Sequence, residues 1–580
     1  MSLFVSFILA AVLLGAGAML SPAWRTAQPR VALAATLCLG LVVGGAVFYA
    51  EAFSWDTLVV DYLLFALLSG VVLGGTLSTA QARAEARGER LDDRDQGWPG
   101  PGDLTFFAFA ALFLLIPLVR LAAPLGEPGQ IIGFHSLATR DGGSFNSLAP
   151  YLVDESVIVS PGFHALAAYL SAQLDQPIPL IQFSAAAVVA LLIIWLAYDF
   201  GAELSDKRLG RALAASTLLG FGFYRSYLGG HFAELLALLF MAAYLLYGLR
   251  LLRKFNAADL VAAGLMMGAV AYASLSLSLL TLLSWIALLV LTWSQKRHGV
   301  NPASRWALTF GLPAVALLGI APWLANNLAQ ILPISPSPFS AELGNIALII
   351  HDHGIGILLL ALWGIIVALR GYANLRFVSL LMLIWLVLVI EFAAIGVIGT
   401  LLPPLGELTN APNLARHGPI LPFAWFGGLA LLDIWDRRLS RHFKARLSQA
   451  TYPVIIIAAL LIAVAAAFNP LLNGLGFPPA SLSWDDVAAM TWLRDNTPAE
   501  AVVSAADGNA WLPLFAERRT PDFRAVRYFE WELINDVDVD RAEVDYVYVP
   551  EAAEPRESLS LKLVFEKGNA RVYEVVEESR

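Results

Sequence analysis

Long apolar stretches separated by short polar segments dominate the pattern of hydrophobic positions. A helix needs roughly 20 predominantly apolar residues to cross the hydrocarbon core of a bilayer. On this criterion the sequence predicts an α-helical polytopic membrane protein with about 14 transmembrane helices. The predicted spans lie near 3–20, 31–50, 57–78, 104–124, 180–200, 209–224, 231–251, 258–275, 277–294, 306–325, 345–370, 374–398, 417–435 and 451–470.

The loop at 125–179 contains two segments with helical spacing that are too short to span, near 129–140 and 161–174. Short helices of this kind are expected to lie flat at the membrane interface. The loop therefore holds polar side chains close to the membrane surface.

The pattern changes after residue 470, where a separate small α/β domain is predicted. Residues 483–496 have helical spacing, with Asp485 and Asp486 in a first turn where the helix dipole favours acids. Four short segments have strand composition, and 567–570 is predicted to form a hairpin turn between the last two. These segments are 501–505, 545–549, 561–566 and 570–575.

Composition supports the membrane assignment and excludes several other classes. Hydrophobic residues make up 58% of the 580 positions, charged residues 14%, and the mean hydropathy is +0.68. Soluble proteins carry about 25% charged residues, so a soluble enzyme and a disordered chain are excluded. The net charge of -9 has the wrong sign for a nucleic-acid partner. The single cysteine, Cys38, excludes a disulfide framework.

The distribution of basic residues predicts the orientation. Of the 37 Lys and Arg, 22 fall in seven loops that can all be placed on the cytoplasmic side, whereas only four fall in the opposite loops of the membrane part. By the positive-inside rule, the N-terminus, the loop 125–179 and the C-terminal domain are extracytoplasmic. Because no basic segment precedes the first apolar run, an uncleaved span is favoured over a signal peptide.

Four segments follow from this division of the chain. Residues 1–78 hold three leading spans, and 79–103 form a polar cytoplasmic linker. Residues 104–470 form the main membrane domain, which includes the loop 125–179, and residues 471–580 form the extracytoplasmic domain.

Unusual polar residues gather in the outer loops. Glu127, Asp141, Asp154 and Glu155 are acids of the loop 125–179. Such acids suit a general base or a site for a hard cation. Each also has a structural interpretation as a solvated acid, and Asp141 precedes a Gly-Gly pair that suits a turn.

Cationic and imidazole side chains lie at three other outer edges. Arg225 and His231 bracket the turn YRSYLGGH (224–231), and His351 and His353 flank an aspartate in HDHG. Arg416 and His417 lie in ARHGP at the start of an apolar stretch. Such groups suit a lipid-linked phosphate, although they also suit anchoring to membrane lipids or helix ends.

Residues 104–580 resemble multispan glycosyltransferases of the GT-C fold. The resemblance rests on a span followed by an outer loop with an early acid, the Gly-Gly pair, a second acidic patch and PGFHALAAYL, and on the tail phrase MTWLRDNTPAEAVVSAADGNAWLPLFAERRT. The relatives it suggests are the protein O-mannosyltransferases and the lipid A aminoarabinose transferases. The chain departs from their usual acid pair after the first span of this region, since Glu127 is the only acid there.

The resemblance implies transfer of a sugar from a polyprenyl-phosphate donor to an envelope lipid, glycan or protein on the extracytoplasmic face. It assigns the base to Glu127 or Asp141 and the donor phosphate to Arg225, Arg416 and His417, with His351 and His353 beside them. Asp154 and Glu155 would hold Mg²⁺ or Mn²⁺. An inactive binder of lipid-linked glycans and a lipid or glycan transporter remain alternatives.

Overall fold

The fold is predominantly helical and ends in a small mixed sheet. The computed structural model describes residues 2–20, 30–85, 99–148, 150–151, 160–294, 301–331, 341–371, 373–403, 410–436, 472–474, 476–477, 482–505, 511–520, 544–551 and 561–576.

Apolar runs of the membrane part form helices close to the predicted positions. The first twelve helices are α1 (Ser2–Leu20), α2 (Val31–Ala52), α3 (Thr57–Glu85), α4 (Pro101–Arg120), α5 (Glu127–Gly142), α6 (Gly162–Leu174), α7 (Ile178–Leu204), α8 (Lys207–Leu219), α9 (Phe221–Leu228), α10 (Phe232–Arg253), α11 (Ala257–Ala273) and α12 (Leu275–Ser294). The next eight are α13 (Pro302–Trp306), α14 (Leu312–Ile331), α15 (Gly344–His353), α16 (Ile355–Arg370), α17 (Arg376–Ile390), α18 (Val397–Leu401), α19 (Ala411–His417) and α20 (Ile420–Ile434). Single π-turns, Ala307–Gly311 and Glu391–Ile395, follow α13 and α17, and a 3₁₀ turn, Ala373–Leu375, precedes α17.

Helix α10 forms the centre of the bundle, since the most apolar 18-residue stretch of Phe232–Arg253 is 100% buried. It packs against α7 and α11, and α2 packs in turn against α7, α11 and α14. The leading helices therefore share the core of the membrane part.

Basic side chains join the helices at one end of this bundle. Glu203 at the end of α7 accepts hydrogen bonds from Arg30 at 3.1 Å and from Arg250 near the end of α10 at 3.1 Å. Because α10 begins at the opposite end, the side chains at its start lie far from this basic end.

Eight of the described helices are long and apolar enough to cross a membrane, and a bent pair makes nine if it counts as one span. The protein is thus a multi-pass membrane protein. The count of fourteen stays a prediction, because the remaining described candidates are shorter helices and 451–470 lies outside the described residues.

Two of the predicted spans are broken at glycines. The stretch 209–224 was predicted as one helix, which is wrong, because α8 ends at Leu219 and α9 begins at Phe221 after Gly220. The stretch 345–370 bends by 97° between α15 and α16. Gly354 allows this bend through a positive φ of 78°, which a residue with a side chain rarely adopts. Because of this bend, the side chains at the end of α15 point toward α9 and α19.

The C-terminal domain has the predicted helix and strands. Helix α21 (Trp484–Asn496) and the short α22 (Leu512–Ala516) accompany strands β1 (Val503–Ala505), β2 (Tyr546–Val549), β3 (Leu561–Lys567) and β4 (Ala570–Val575). The sheet order is β1-β2-β4-β3, with β1 parallel to β2 and the other pairs antiparallel. The hairpin turn between β3 and β4 has Gly568 at φ 58°, as its sequence predicts.

The C-terminal domain is docked on α5. A hydrophobic cluster contains Phe134 and Leu137 of α5 together with Leu514 and Phe515 of α22. At its edge, the Arg140 guanidinium donates to both carboxylate oxygens of Glu517, at 3.1 and 2.8 Å. Helix α5 therefore belongs to the core of the C-terminal domain as much as to the membrane part.

Candidate active site

A cavity of about 170 Å³ lies where α9, α15, α19 and the start of α5 meet. It lies at the end of the bundle where α10 begins, opposite the basic end. Its lining residues are Gly126, Pro128, Gly222, Arg225, Ser226, Gly229, His231, Asp352, Arg416, His417 and Phe477. The segments that carry them are far apart in sequence, so only the tertiary fold assembles the cavity.

Close backbone contact places the first turn of α5 at the cavity. The amide of Leu125 donates to the carbonyl of Leu228 at 2.9 Å. A Cβ on Gly126 would overlap the carbonyl oxygen of Gly229, and Gly230 has a φ of 79°. Side chains at these glycines would push the loop and the turn apart, and the cavity would widen.

Asp352 is the electrostatic centre of the cavity. Its side chain is only 3% exposed, and its two oxygens contact Arg225 Nη1 at 3.1 Å and Arg416 Nε at 3.3 Å. His351 Nδ1 lies 3.1 Å from the same carboxylate. Two guanidinium groups carry ten N–H donors, whereas one carboxylate offers about four lone pairs. The cluster is therefore suited to bind a further anion.

Phe477, among the first residues of the C-terminal segment 471–580, completes the wall beside Arg225. The Arg225 guanidinium carbon lies 5.5 Å from the centre of the Phe477 ring, which suits a cation–π contact. A Cβ on the neighbouring Gly476, at φ 74°, would lie 3.4 Å from the His351 ring. The first residues of the C-terminal segment 471–580 are thus in contact with Arg225 and its neighbour His351.

His231 and His417 form the deeper part of the cavity, with ring centroids 4.7 Å apart. His417 is fully buried, and its Nδ1 lies 3.0 Å from Ser226 Oγ. Burial lowers the pKa of His417, and the nearby His231 and Arg416 lower it further. Burial also lowers the pKa of His231, although Glu234 opposes the shift. Both imidazoles are therefore neutral at pH 7.

Glu234 lies beside this histidine pair, in the first turn of α10. Its carboxylate accepts a hydrogen bond from Asn413 Nδ2 at 3.1 Å. The side-chain donor atoms of His231, Glu234 and His417 all lie within 4.8 Å of one another. A possible metal site therefore exists here.

Among the other predicted phosphate ligands, His353 lies in the wall, behind the lining residues. It is buried, and its Nε2 lies 3.4 Å from the carbonyl oxygen of Ala415. A Cβ on Gly222 would overlap its ring, so Gly222 allows the close packing of α9 on α15. His351 is 60% exposed and lies at the rim.

Of the acids predicted in the loop 125–179, the two that the structure describes, Glu127 and Asp141, are not brought together. Glu127 is the first residue of α5 and is exposed between the lining residues Gly126 and Pro128. Asp141 lies near the other end of the same helix, about 20 Å away at 1.5 Å per residue. Asp154 and Glu155 lie outside the described residues.

Asp141 takes part in docking the C-terminal domain. Its carboxylate pairs with Arg140 at 2.7 Å and accepts a hydrogen bond from the Tyr151 hydroxyl at 2.6 Å. Burial and the charge of Asp141 raise the pKa of Tyr151, so this phenol remains a donor. The assignment of Asp141 as a base remains a prediction. In the structure its contacts are those of a residue that docks the C-terminal domain.

Several residues of the cavity were not predicted as site residues. Asp352 stands between two predicted histidines, and its role follows only from the two arginines that the fold brings to it. His231 and Glu234 are spaced i, i+3 at a helix start, a sequence signal for one helix face. Ser226 and Phe477 carry no signal that sequence reasoning could use.

No known protein family and no curated protein matches the chain. Among solved structures, ArnT from Cupriavidus metallidurans bound to undecaprenyl phosphate is 13% identical, with a TM-score of 0.51 over 83% of this chain and 99% of its own. AglB, the oligosaccharyltransferase of Archaeoglobus fulgidus, is 15% identical over 77% of this chain and 69% of its own, with a TM-score of 0.45. The mycobacterial arabinofuranosyltransferase AftD is 15% identical over 82% of this chain and 42% of its own, with a TM-score of 0.43. The structural neighbours are GT-C glycosyltransferases, and the similarity to ArnT confirms the expected GT-C fold.

Proposed function

We propose that this protein is a membrane glycosyltransferase that takes a sugar from a polyprenyl-phosphate donor on the extracytoplasmic face. The observation that carries the proposal is the cavity in which Asp352 holds Arg225 and Arg416 together. The cavity lies in a fold whose neighbour ArnT was solved with undecaprenyl phosphate. The acceptor is an envelope lipid, glycan or protein.

Arg225 and Arg416 are the proposed ligands of the donor phosphate. Their side chains are 22% and 42% exposed, so both are partly desolvated yet accessible from the cavity. Fixed guanidinium donors stabilise the charge that develops on a leaving phosphate without reorganising during the reaction. Asp352 acts as a positioning residue, because it orients both guanidinium groups and leaves the cluster with one net positive charge.

Glu127 is the proposed base, and Asp141 is the less favoured candidate because of its distance from the cavity. The carboxylate takes the proton of the acceptor hydroxyl, and the hydroxyl oxygen attacks the anomeric carbon. The bond between that carbon and the phosphate oxygen breaks, and polyprenyl phosphate leaves with both electrons of the bond. A direct displacement inverts the anomeric configuration.

A binder of lipid-linked glycans that transfers no sugar is the second candidate. One observation favours it: among the described lining residues Asp352 is the only acid, and it is engaged with two arginines. Such a protein would hold the same donor phosphate but leave the glycosidic bond intact.

The first experiment incubates the purified full-length protein in nanodiscs with a pool of undecaprenyl-phosphate sugars and follows the lipids by mass spectrometry. We expect the wild type to release sugar from one carrier. Because removal of a stabilising donor costs about 10²- to 10³-fold in rate, Arg225→Gln and Arg416→Gln should lose most of that turnover. Arg370→Gln is the matched control, since Arg370 is exposed at the far end of α16.

The outcomes separate the two candidate functions. Glu127→Gln should retain donor binding and lose turnover, whereas Asp141→Asn should lose little of either. A carrier that the wild type retains with its sugar intact would identify a binder. Equal turnover by the wild type and the Arg225→Gln/Arg416→Gln double variant would refute the proposed phosphate site.

A further inference from the structure

We infer that His231, Glu234 and His417 form a binding site for one divalent transition-metal ion, with Zn²⁺ as the best match. The three side chains offer two imidazole nitrogens and one carboxylate oxygen, all within 4.8 Å of one another. The inference does not depend on glycosyl transfer, because a metal site can be measured without any donor or acceptor.

The clearest indication is an unpartnered nitrogen on His417. The Ser226 hydroxyl donates to the carbonyl of Gly222 at 2.6 Å, so its oxygen accepts the Nδ1–H of His417 at 3.0 Å. This hydrogen bond fixes the tautomer and leaves the Nε2 lone pair available. Nε2 is buried and has no hydrogen-bond partner. A buried polar atom without a partner destabilises the fold, and a metal ion bound at Nε2 would remove that cost.

The second indication is the hydrogen bonding behind two of the three ligands, His417 and Glu234. A metal-binding histidine usually donates its other ring N–H to a fixed acceptor, as His417 does to Ser226. Glu234 accepts a hydrogen bond from Asn413 Nδ2 at 3.1 Å, and the backbone N–H of Asn413 donates to Asn410 Oδ1 at 3.0 Å, at the start of α19. Helix α19 thus supplies both one ligand and the support of another.

The third indication is the spacing of His231 and Glu234 on one element. His231 is the N-cap of α10 and Glu234 lies in its first turn, so both project from the same face. His417 approaches this face from α19, with its ring 4.7 Å from that of His231. Two ligands from one helix and a third from elsewhere form a common pattern of zinc sites.

The donor set decides which ion fits. Mg²⁺ and Ca²⁺ prefer oxygen ligands alone, whereas two histidines and one glutamate suit Zn²⁺. Three protein ligands leave a fourth position open. That position faces the cavity, because His231 and His417 line it together with Arg225 and Arg416. The donor type therefore differs from that of the Mg²⁺ or Mn²⁺ site predicted at Asp154 and Glu155.

The test measures metal directly on the full-length protein, purified in detergent through an affinity tag that contains no histidine. After chelator treatment, Zn²⁺ is returned and bound metal is counted by elemental mass spectrometry, and Co²⁺ is titrated by its visible absorption. We expect one equivalent per chain and an intense Co²⁺ spectrum typical of four-coordinate sites.

The variants assign the ligands. His231→Gln and Glu234→Gln should each weaken Zn²⁺ binding by at least 100-fold, and Ser226→Ala by about 10- to 100-fold. His351→Gln is the matched control, because His351 is exposed at the rim of the same cavity and should retain the metal. Without metal, each variant should have the same melting temperature as the chelated wild type, which would verify that the variant is folded.

Two results would overturn the inference. One is the absence of stoichiometric metal in the wild type at micromolar Zn²⁺. The other is equal binding by the wild type and a folded His231→Gln/Glu234→Gln double variant. Loss of glycosyl transfer alone bears only on the proposed function, since metal content is read without substrate.

Discussion

At the scale of single residues, Asp352 determines the character of the cavity. One buried carboxylate neutralises half the charge of Arg225 and Arg416, and it fixes their directions. Without it, two guanidinium groups would repel each other in a partly desolvated space. Asp352 therefore allows a stable fold to contain a binding site for anions.

Asp352→Asn is expected to destabilise the protein without ligand and to make its stability more dependent on anions. Loss of one partner from a buried ion pair costs about 3–5 kcal/mol, and the partial exposure of both arginines reduces this to about 1–3 kcal/mol. Added undecaprenyl phosphate should recover part of the lost melting temperature, because it supplies the missing negative charge.

The matched control for this prediction is Asp175→Asn. Asp175 is exposed, and its φ of 49° is one that asparagine also tolerates. Its melting temperature should stay near that of the wild type with and without lipid. Equal stability of Asp352→Asn and the wild type would mean that the two arginines do not need this carboxylate.

Sequence reasoning located most of the charged residues of the cavity but few of their relationships. Arg225, Arg416 and His417 are polar residues at the ends of apolar stretches, a signal that can be identified locally. The partnership of Asp352 with both arginines joins segments over 60 residues apart, and no local pattern contains it. Glu127 and Asp141 seemed equivalent in sequence, yet opposite ends of α5 separate them.

At the scale of elements, glycines determine how closely helices approach. A Cβ on Gly364 of α16 would overlap the backbone carbonyl of Phe426 in α20. These two helices follow the segments that carry Asp352 and Arg416, so their spacing affects both sides of the cavity. The sequence predicts both helices but not which glycine lies at their contact.

Gly364→Ala is expected to lower stability by about 1–3 kcal/mol, because an added methyl group must force the two backbones apart. Gly356→Ala on the same helix is the control, since nothing lies within 4 Å of its Cβ position. Its melting temperature should match or slightly exceed that of the wild type, because alanine favours helix more than glycine does. If both variants melted alike, the close packing of α16 on α20 would be wrong.

At the scale of the whole molecule, the C-terminal domain and the cavity lie at the same end. Helix α5 connects them: its first residues border the cavity, and its remaining turns enter the core of the C-terminal domain. Phe477 makes a second connection through Arg225. Undocking the domain should therefore disturb the cavity.

The sequence predicted the two parts of the molecule and their elements, but not how they join. The helix at 129–140 is predicted to lie flat at the membrane interface, and this stays a prediction. The structure adds that Phe134 and Leu137 are buried against α22. Their apolar spacing suits burial against lipid or protein equally, so the pattern alone leaves the partner undetermined.

A charge exchange between Arg140 and Glu517 tests this connection. The pair is bidentate, and the side chains are 16% and 19% exposed. Arg140→Glu places like charges together, with Asp141 beside them, so hydrogen exchange in α22 and in the first turn of α5 should both increase. Glu517→Arg alone should loosen the same contact. The double variant Arg140→Glu/Glu517→Arg restores opposite charges and should recover much of the protection at both places. If exchange increased in α22 alone, α5 would not transmit the docking to the cavity, and the C-terminal domain would act independently of it.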